Sequence, residues 1–157
     1  MREDYDEQNL QKHIQDMEIG EKIVTKPRVI SKTDLELYAI TTGDTHPMFL
    51  SEEHAKAFGW KTQLVPGPLS FSIAVGLLIQ SGFISDVIAF MGMDKVKFNA
   101  PVYPYDSIRV EAEVLSKKET KKGNRICSYK CIIRNQNYEA VAEGENTCMF
   151  KARHKSG

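Results

Sequence analysis

The stretch that most limits how this chain can fold lies between Pro66 and Gln80. From Phe71 to Ile79 it is apolar at every position except Ser72. Wound into a helix, Leu69, Ile73, Gly76 and Leu77 cover one side, and Phe71, Ala74, Val75 and Leu78 cover the other. A helix that is apolar all round is buried on most sides. The run is too short to span a bilayer. Ala74 and Gly76 in its middle predict close passage of another backbone, since glycine within a helix otherwise costs roughly 1 kcal/mol.

Downstream the texture changes to four long runs, residues 87–99, 107–119, 124–135 and 138–151. Ile108, Val110, Ala112 and Val114 alternate with Arg109, Glu111 and Glu113, the pattern of a half-buried antiparallel strand. Lys121-Lys122-Gly123-Asn124 and Asn135-Gln136-Asn137 supply turns between the strands. The lysines at 117, 118, 121 and 122 read as a solvated hairpin end. One long buried helix followed by a meander of strands predicts an α+β fold, a curved antiparallel sheet wrapped around that helix. Such a sheet has open edges, and pairing with a second copy into a homodimer is the natural way to cover one.

Upstream, Glu21 to Thr25 reads as a first strand ended by Pro27. Ser31 or Thr33 caps a helix whose first turn carries Asp34 and which Gly43 stops. Ser51-Glu52-Glu53 opens a second, short helix that Gly59 closes. Residues 1–16 are polar and lack a sustained apolar period, so they read as a frayed arm or a partial helix, and residues 17–157 as a single domain. The acidic start does not fit a secretory signal peptide. Lys plus Arg and Asp plus Glu each number 21, so no net charge recommends nucleic acid or an anionic membrane as partner. Cys127, Cys131 and Cys148 lack metal-type spacing and read as buried reduced thiols, which together with the polar start suggests a cytoplasmic protein.

The chemistry concentrates just before the central helix, in Gly43-Asp44-Thr45-His46-Pro47. Pro47 keeps His46 out of the α region, and in extended backbone side chains two apart point the same way. Asp44 and His46 can therefore face one cavity and share acid/base work near neutral pH. A plainer reading stands beside it, with Asp44 capping the local turn and His46 a packed loop histidine. At the helix start, Pro66 and Pro68 have no N–H, whereas Gly67 keeps its own. That amide can hold a carbonyl oxygen in a site open to a ligand, or the glycine serves only the turn.

These pieces, in this order, resemble the MaoC-like dehydratases, the R-specific enoyl-CoA hydratase branch of the hot-dog fold. The resemblance runs from about Glu18 to Phe150. It rests on Thr42-Gly43-Asp44-Thr45-His46-Pro47, Ser51-Glu52-Glu53-His54-Ala55 with Phe58-Gly59, Leu64-Val65-Pro66-Gly67, and Val96-Lys97-Phe98 with Ala100-Pro101-Val102 and Asp106. In that family an aspartate and a histidine activate water, and a glycine amide holds the thioester oxygen. Asp44 and Gly67 match. The family's histidine position is Phe49 here, and His46 stands where the family has asparagine. Pro66 replaces the histidine that usually precedes the glycine.

The resemblance implies reversible hydration of 2-enoyl-CoA thioesters, with Asp44, His46 and Gly67 catalytic and no metal or redox cofactor. It also implies an acyl-CoA site lined by Pro47, Phe49, Val65, Pro66, Leu69 and Phe71. Two other functions share this fold: an acyl-thioester-binding subunit of a heteromeric dehydratase, and an acyl-CoA thioesterase.

Overall fold

The central helix forms where its sequence predicts. In the computed structural model, which describes residues 12–153, it spans Gly67–Gln80 (α4, after the three helices given below) and buries Leu69, Ser70, Phe71, Ala74, Leu77 and Leu78. Its other face is not enclosed: Pro68, Ser72 and Ile79 are exposed. The expected close approach at Gly76 is also absent, because a Cβ there would meet nothing within 4 Å. The tight contacts fall elsewhere. Phe71 packs onto Gly144 of the sheet, where an added Cβ would lie 2.9 Å from its ring.

Six strands make the sheet: β1 (Lys22–Val24), β2 (Arg28–Val29), β3 (Ala89–Phe98), β4 (Ser107–Glu119), β5 (Asn124–Arg134) and β6 (Ala140–Lys151). They run antiparallel in the order β1-β4-β5-β6-β3, with β2 also on β4. The alternation read from the sequence is realised, since Ile108, Val110, Ala112 and Val114 are wholly buried. Opposite them stand Ile133 and Cys131, partners of Val110 and Ala112. Each isoleucine or valine side chain so taken from water contributes about 1.5–3 kcal/mol. All three cysteines are buried and free. Burial pushes the Cys131 thiol up to about 12 and the Cys148 thiol up to about 11, so both stay protonated. The fold is therefore α+β, a sheet that wraps its helix without closing.

The helices before α4 show the local signals at work. In α1 (Lys32–Thr42), the Ser31 hydroxyl accepts from Asp34 N–H, and the Asp34 carboxylate accepts from Ser31 N–H. Gly43 ends it in the left-handed region, at φ 76°, where glycine has no Cβ to clash. Next come α2 (Pro47–Leu50) and α3 (Glu52–Ala57), the latter capped by Ser51.

The expected arm of residues 1–16 needs correction. Residues 1–11 lie outside the described part, but His13, Ile14 and Gln15 are buried. Residues 14–16 form a 3-10 turn in which Ile14 N–H donates to Phe83 C=O, and Gln15 holds Lys151 C=O and Arg153 N–H. Two core residues three apart, Ile14 and Met17, are too few to show a period. The Lys117 ammonium is not simply solvated either, since it donates to the carbonyls of Gln15 and Met17. At the opposite edge, β3 pairs with β6 alone and leaves Phe90, Met91, Met93, Val96 and Phe98 exposed.

Candidate functional site

Gly43 turns the chain out of α1, and Asp44 follows half-buried, its N–H donating to the Thr42 hydroxyl. His46 is extended, φ −57° and ψ 133°, as Pro47 requires. Pro47 is also a favourable first helical residue, and it starts α2 with His46 as the cap. The His46 ring Nδ1 accepts the Met48 N–H at 3.1 Å. A neutral His46 therefore carries its proton on Nε2, which makes that nitrogen a hydrogen-bond donor. Its ring meets Phe49 at 6.0 Å and His54 at 5.8 Å between centroids, and His54 in turn meets Phe58 at 4.9 Å. Among the described residues Asp44 and His46 share neither a hydrogen bond nor an ion pair. The expected Asp44–His46 pairing toward one cavity gives way to a capping role for His46.

The cavity next to Gly67 measures about 360 Å³. Met48, Phe49, Val65, Gly67, Ser70 and Phe98 line it, with the 99–102 segment closing one wall. Val65 N–H donates to Val102 C=O at 2.8 Å, which fixes that wall to the approach of α4. Pro66 is the cap of α4 without any side-chain hydrogen bond, and the first bond of the helix is Ser70 N–H to Pro66 C=O. Gly67 N–H makes no hydrogen bond among the described residues, the expected state of a first-turn donor.

Of the residues assigned to substrate binding, Phe49 and Val65 share this cavity with Gly67, a residue assigned to catalysis. Pro66 is buried behind it, Pro47 is exposed at the start of α2, and Leu69 belongs to the core. Phe71 lines a second, apolar cavity of about 500 Å³ between the open face of α4 and β3, with Pro68, Val75, Phe90, Met93 and Phe98. Asp44 and His46 line neither cavity.

Sequence reasoning missed Met48, Ser70 and Phe98. A lone hydroxyl in the first turn of an apolar helix was the one available signal for Ser70. Arg109 stacks on Tyr138, and the Lys95 ammonium reaches Glu145 at 3.4 Å. No metal-type cluster of three His, Cys, Asp or Glu side chains occurs among the described residues, and no helix there is long and apolar enough to cross a membrane.

This architecture, an antiparallel sheet wrapped around a helix, is that of a hot-dog fold. The model of the MaoC like domain matches residues 14–133, and the chain belongs to that family. It is similar to YdeM of Bacillus subtilis, 30% identical over 136 residues covering 85% of this chain and 94% of that one. The (R)-specific enoyl-CoA hydratase of Rhodospirillum rubrum is 29% identical over 134 residues, 80% of this chain and 83% of its own. The crystal structure of a protein from Archaeoglobus named as a monoamine oxidase regulatory protein superposes with a TM-score of 0.80 at 31% identity, covering 92% of this chain and 97% of that one.

Proposed function

We propose that this protein is a hydratase/dehydratase acting reversibly on 2-enoyl-CoA and 3-hydroxyacyl-CoA thioesters. The observation that carries the reading is the unengaged Gly67 amide on the wall of an apolar cavity at the start of α4. A thioester carbonyl placed there develops negative charge as its β-carbon is attacked, and a fixed donor at a helix N-terminus stabilises that charge. The Phe98 ring rests against Gly67 at the same spot.

Asp44 supplies the base. It takes a proton from water as the oxygen bonds to the β-carbon, and the enolate then collects a proton at the α-carbon. The proton that Asp44 took is the one returned there, and the His46 Nε2–H, which its capping bond leaves free, can hydrogen-bond the water or the hydroxyl it becomes. For this, substrate must reach across from the Gly67 cavity to the Asp44 loop, past Phe49. A second copy of the chain covers the exposed apolar edge strand β3 and the cavity beside it, so the working form in this reading is a homodimer. Three buried free thiols support a reducing, cytoplasmic setting.

One observation favours a second reading. Phe49 faces the cavity from the position where the family resemblance places a histidine, and it has no proton to give. On that basis the chain binds acyl thioesters without turning them over, as one subunit of a heteromeric enzyme. Incubation with trans-2-enoyl-CoAs separates the two. Loss of enoyl absorbance supports hydration, and binding without any loss supports the subunit.

A further inference from the structure

Ser70 is 2% exposed, and its hydroxyl oxygen is buried without a hydrogen-bond partner. It lies three residues beyond Gly67 on α4, so the two positions are neighbours on the helix surface, and both line the 360 Å³ cavity. Packing gives no reason for a hydroxyl here. Alanine would fit the same backbone, favours helix more, and would leave no buried polar atom unsatisfied. The nearby Pro66 carbonyl already accepts the Ser70 backbone N–H. The start of α4 is also short of donors, because Pro68 has no N–H to offer.

We propose that the Ser70 hydroxyl is the second donor to the thioester carbonyl oxygen, acting beside Gly67 N–H. The unsatisfied hydroxyl of the free protein is then a site prepared for ligand, its partner arriving with the substrate. This rests on the reading above, that an acyl thioester occupies the Gly67 cavity with its carbonyl toward the helix start.

The test compares butyryl-CoA with S-butyl-CoA, the thioether that lacks the carbonyl oxygen, by calorimetric titration of wild type and Ser70→Ala. Neither probe is turned over, so binding is read apart from catalysis. Wild type should bind the thioester about 10-fold tighter than the thioether, the usual worth of one or two good hydrogen bonds. Ser70→Ala should lose most of that preference through weaker thioester binding alone, with its affinity for the thioether unchanged and its melting temperature equal or higher. If Ser70→Ala keeps the full preference, or weakens both ligands alike, the proposal is wrong while the thioester reading stands. If wild type binds neither probe or shows no preference, the thioester reading itself fails and this assignment falls with it.

Discussion

Phe98 and Gly67 meet in the wall between the two cavities. A Cβ on Gly67 would stand 2.7 Å from Phe98 Cε1 and 2.8 Å from Cδ1. Phe98 lines both spaces, one of about 360 Å³ and one of about 500 Å³. The residue proposed as the thioester donor is therefore the one on which the dividing ring rests.

Gly67→Ala should separate folding from function. Phe98 is 52% exposed, so its ring can swing outward to admit the methyl group. The melting temperature should move by no more than a few degrees, a change of about 1 kcal/mol. The backbone N–H stays, so any loss must come from the methyl crowding the oxygen that approaches it; enoyl-CoA hydration should fall by up to about 10²-fold, the scale of a donor made unreachable. Melting curves and initial rates on one preparation check both halves.

Phe98→Ala removes the partition and joins the two cavities. The preference among acyl chains should shift toward longer ones, because the apolar groove along α4 becomes continuous with the thioester site. A change of about 10-fold or more in the ratio of kcat/KM for long against short enoyl-CoAs is expected, given what each buried methylene is worth. Rates across a series of chain lengths measure it.

Gly144→Ala is a test of the core alone. The new methyl would meet Phe71 Cζ at 2.9 Å, Cε2 at 3.1 Å and Val96 Cγ2 at 3.3 Å. Phe71 is 3% exposed and packed against the sheet, so relief requires its ring to shift toward the cavity it lines. Urea unfolding should show a loss of about 1–3 kcal/mol, the usual cost of overpacking.

These contacts also mark how far the sequence could be read. The caps of α1 at Ser31, Asp34 and Gly43, and the alternation through Ile108 to Val114, act within a few residues and were legible. The meeting of Gly67 with Phe98, like that of Phe71 with Gly144, joins distant parts of the chain and leaves no local pattern. His46 shows a subtler limit. Pro47 does fix its backbone as extended, but the same proline starts a four-residue helix too short to show a period, and that helix claims the imidazole as its cap. Ile14 joined the core unseen for a similar reason, since one turn carries no periodicity.

His13 makes stability depend on pH. Its Nδ1 accepts Gln15 N–H, so the neutral ring donates from Nε2 to Asp86, with Asp16 and Arg153 close by. Burial holds its pKa below the ordinary 6.5, although Asp86 pulls the other way. The folded state thus binds fewer protons than the unfolded one. Its contribution is fully present above pH 6.5 and is lost as pH falls below that value toward the folded pKa. Denaturation midpoints should drop through this range in wild type, and His13→Gln should flatten the drop.

The role of Asp44 is tested most directly by following enoyl absorbance with wild type and Asp44→Asn side by side. Wild type should consume trans-2-enoyl-CoA. Asp44→Asn should fold and bind butyryl-CoA normally yet turn over at least about 10³-fold more slowly, the scale of losing a general base. An Asp44→Asn protein as fast as wild type, or a wild type that binds acyl-CoA and never hydrates it, would contradict the account.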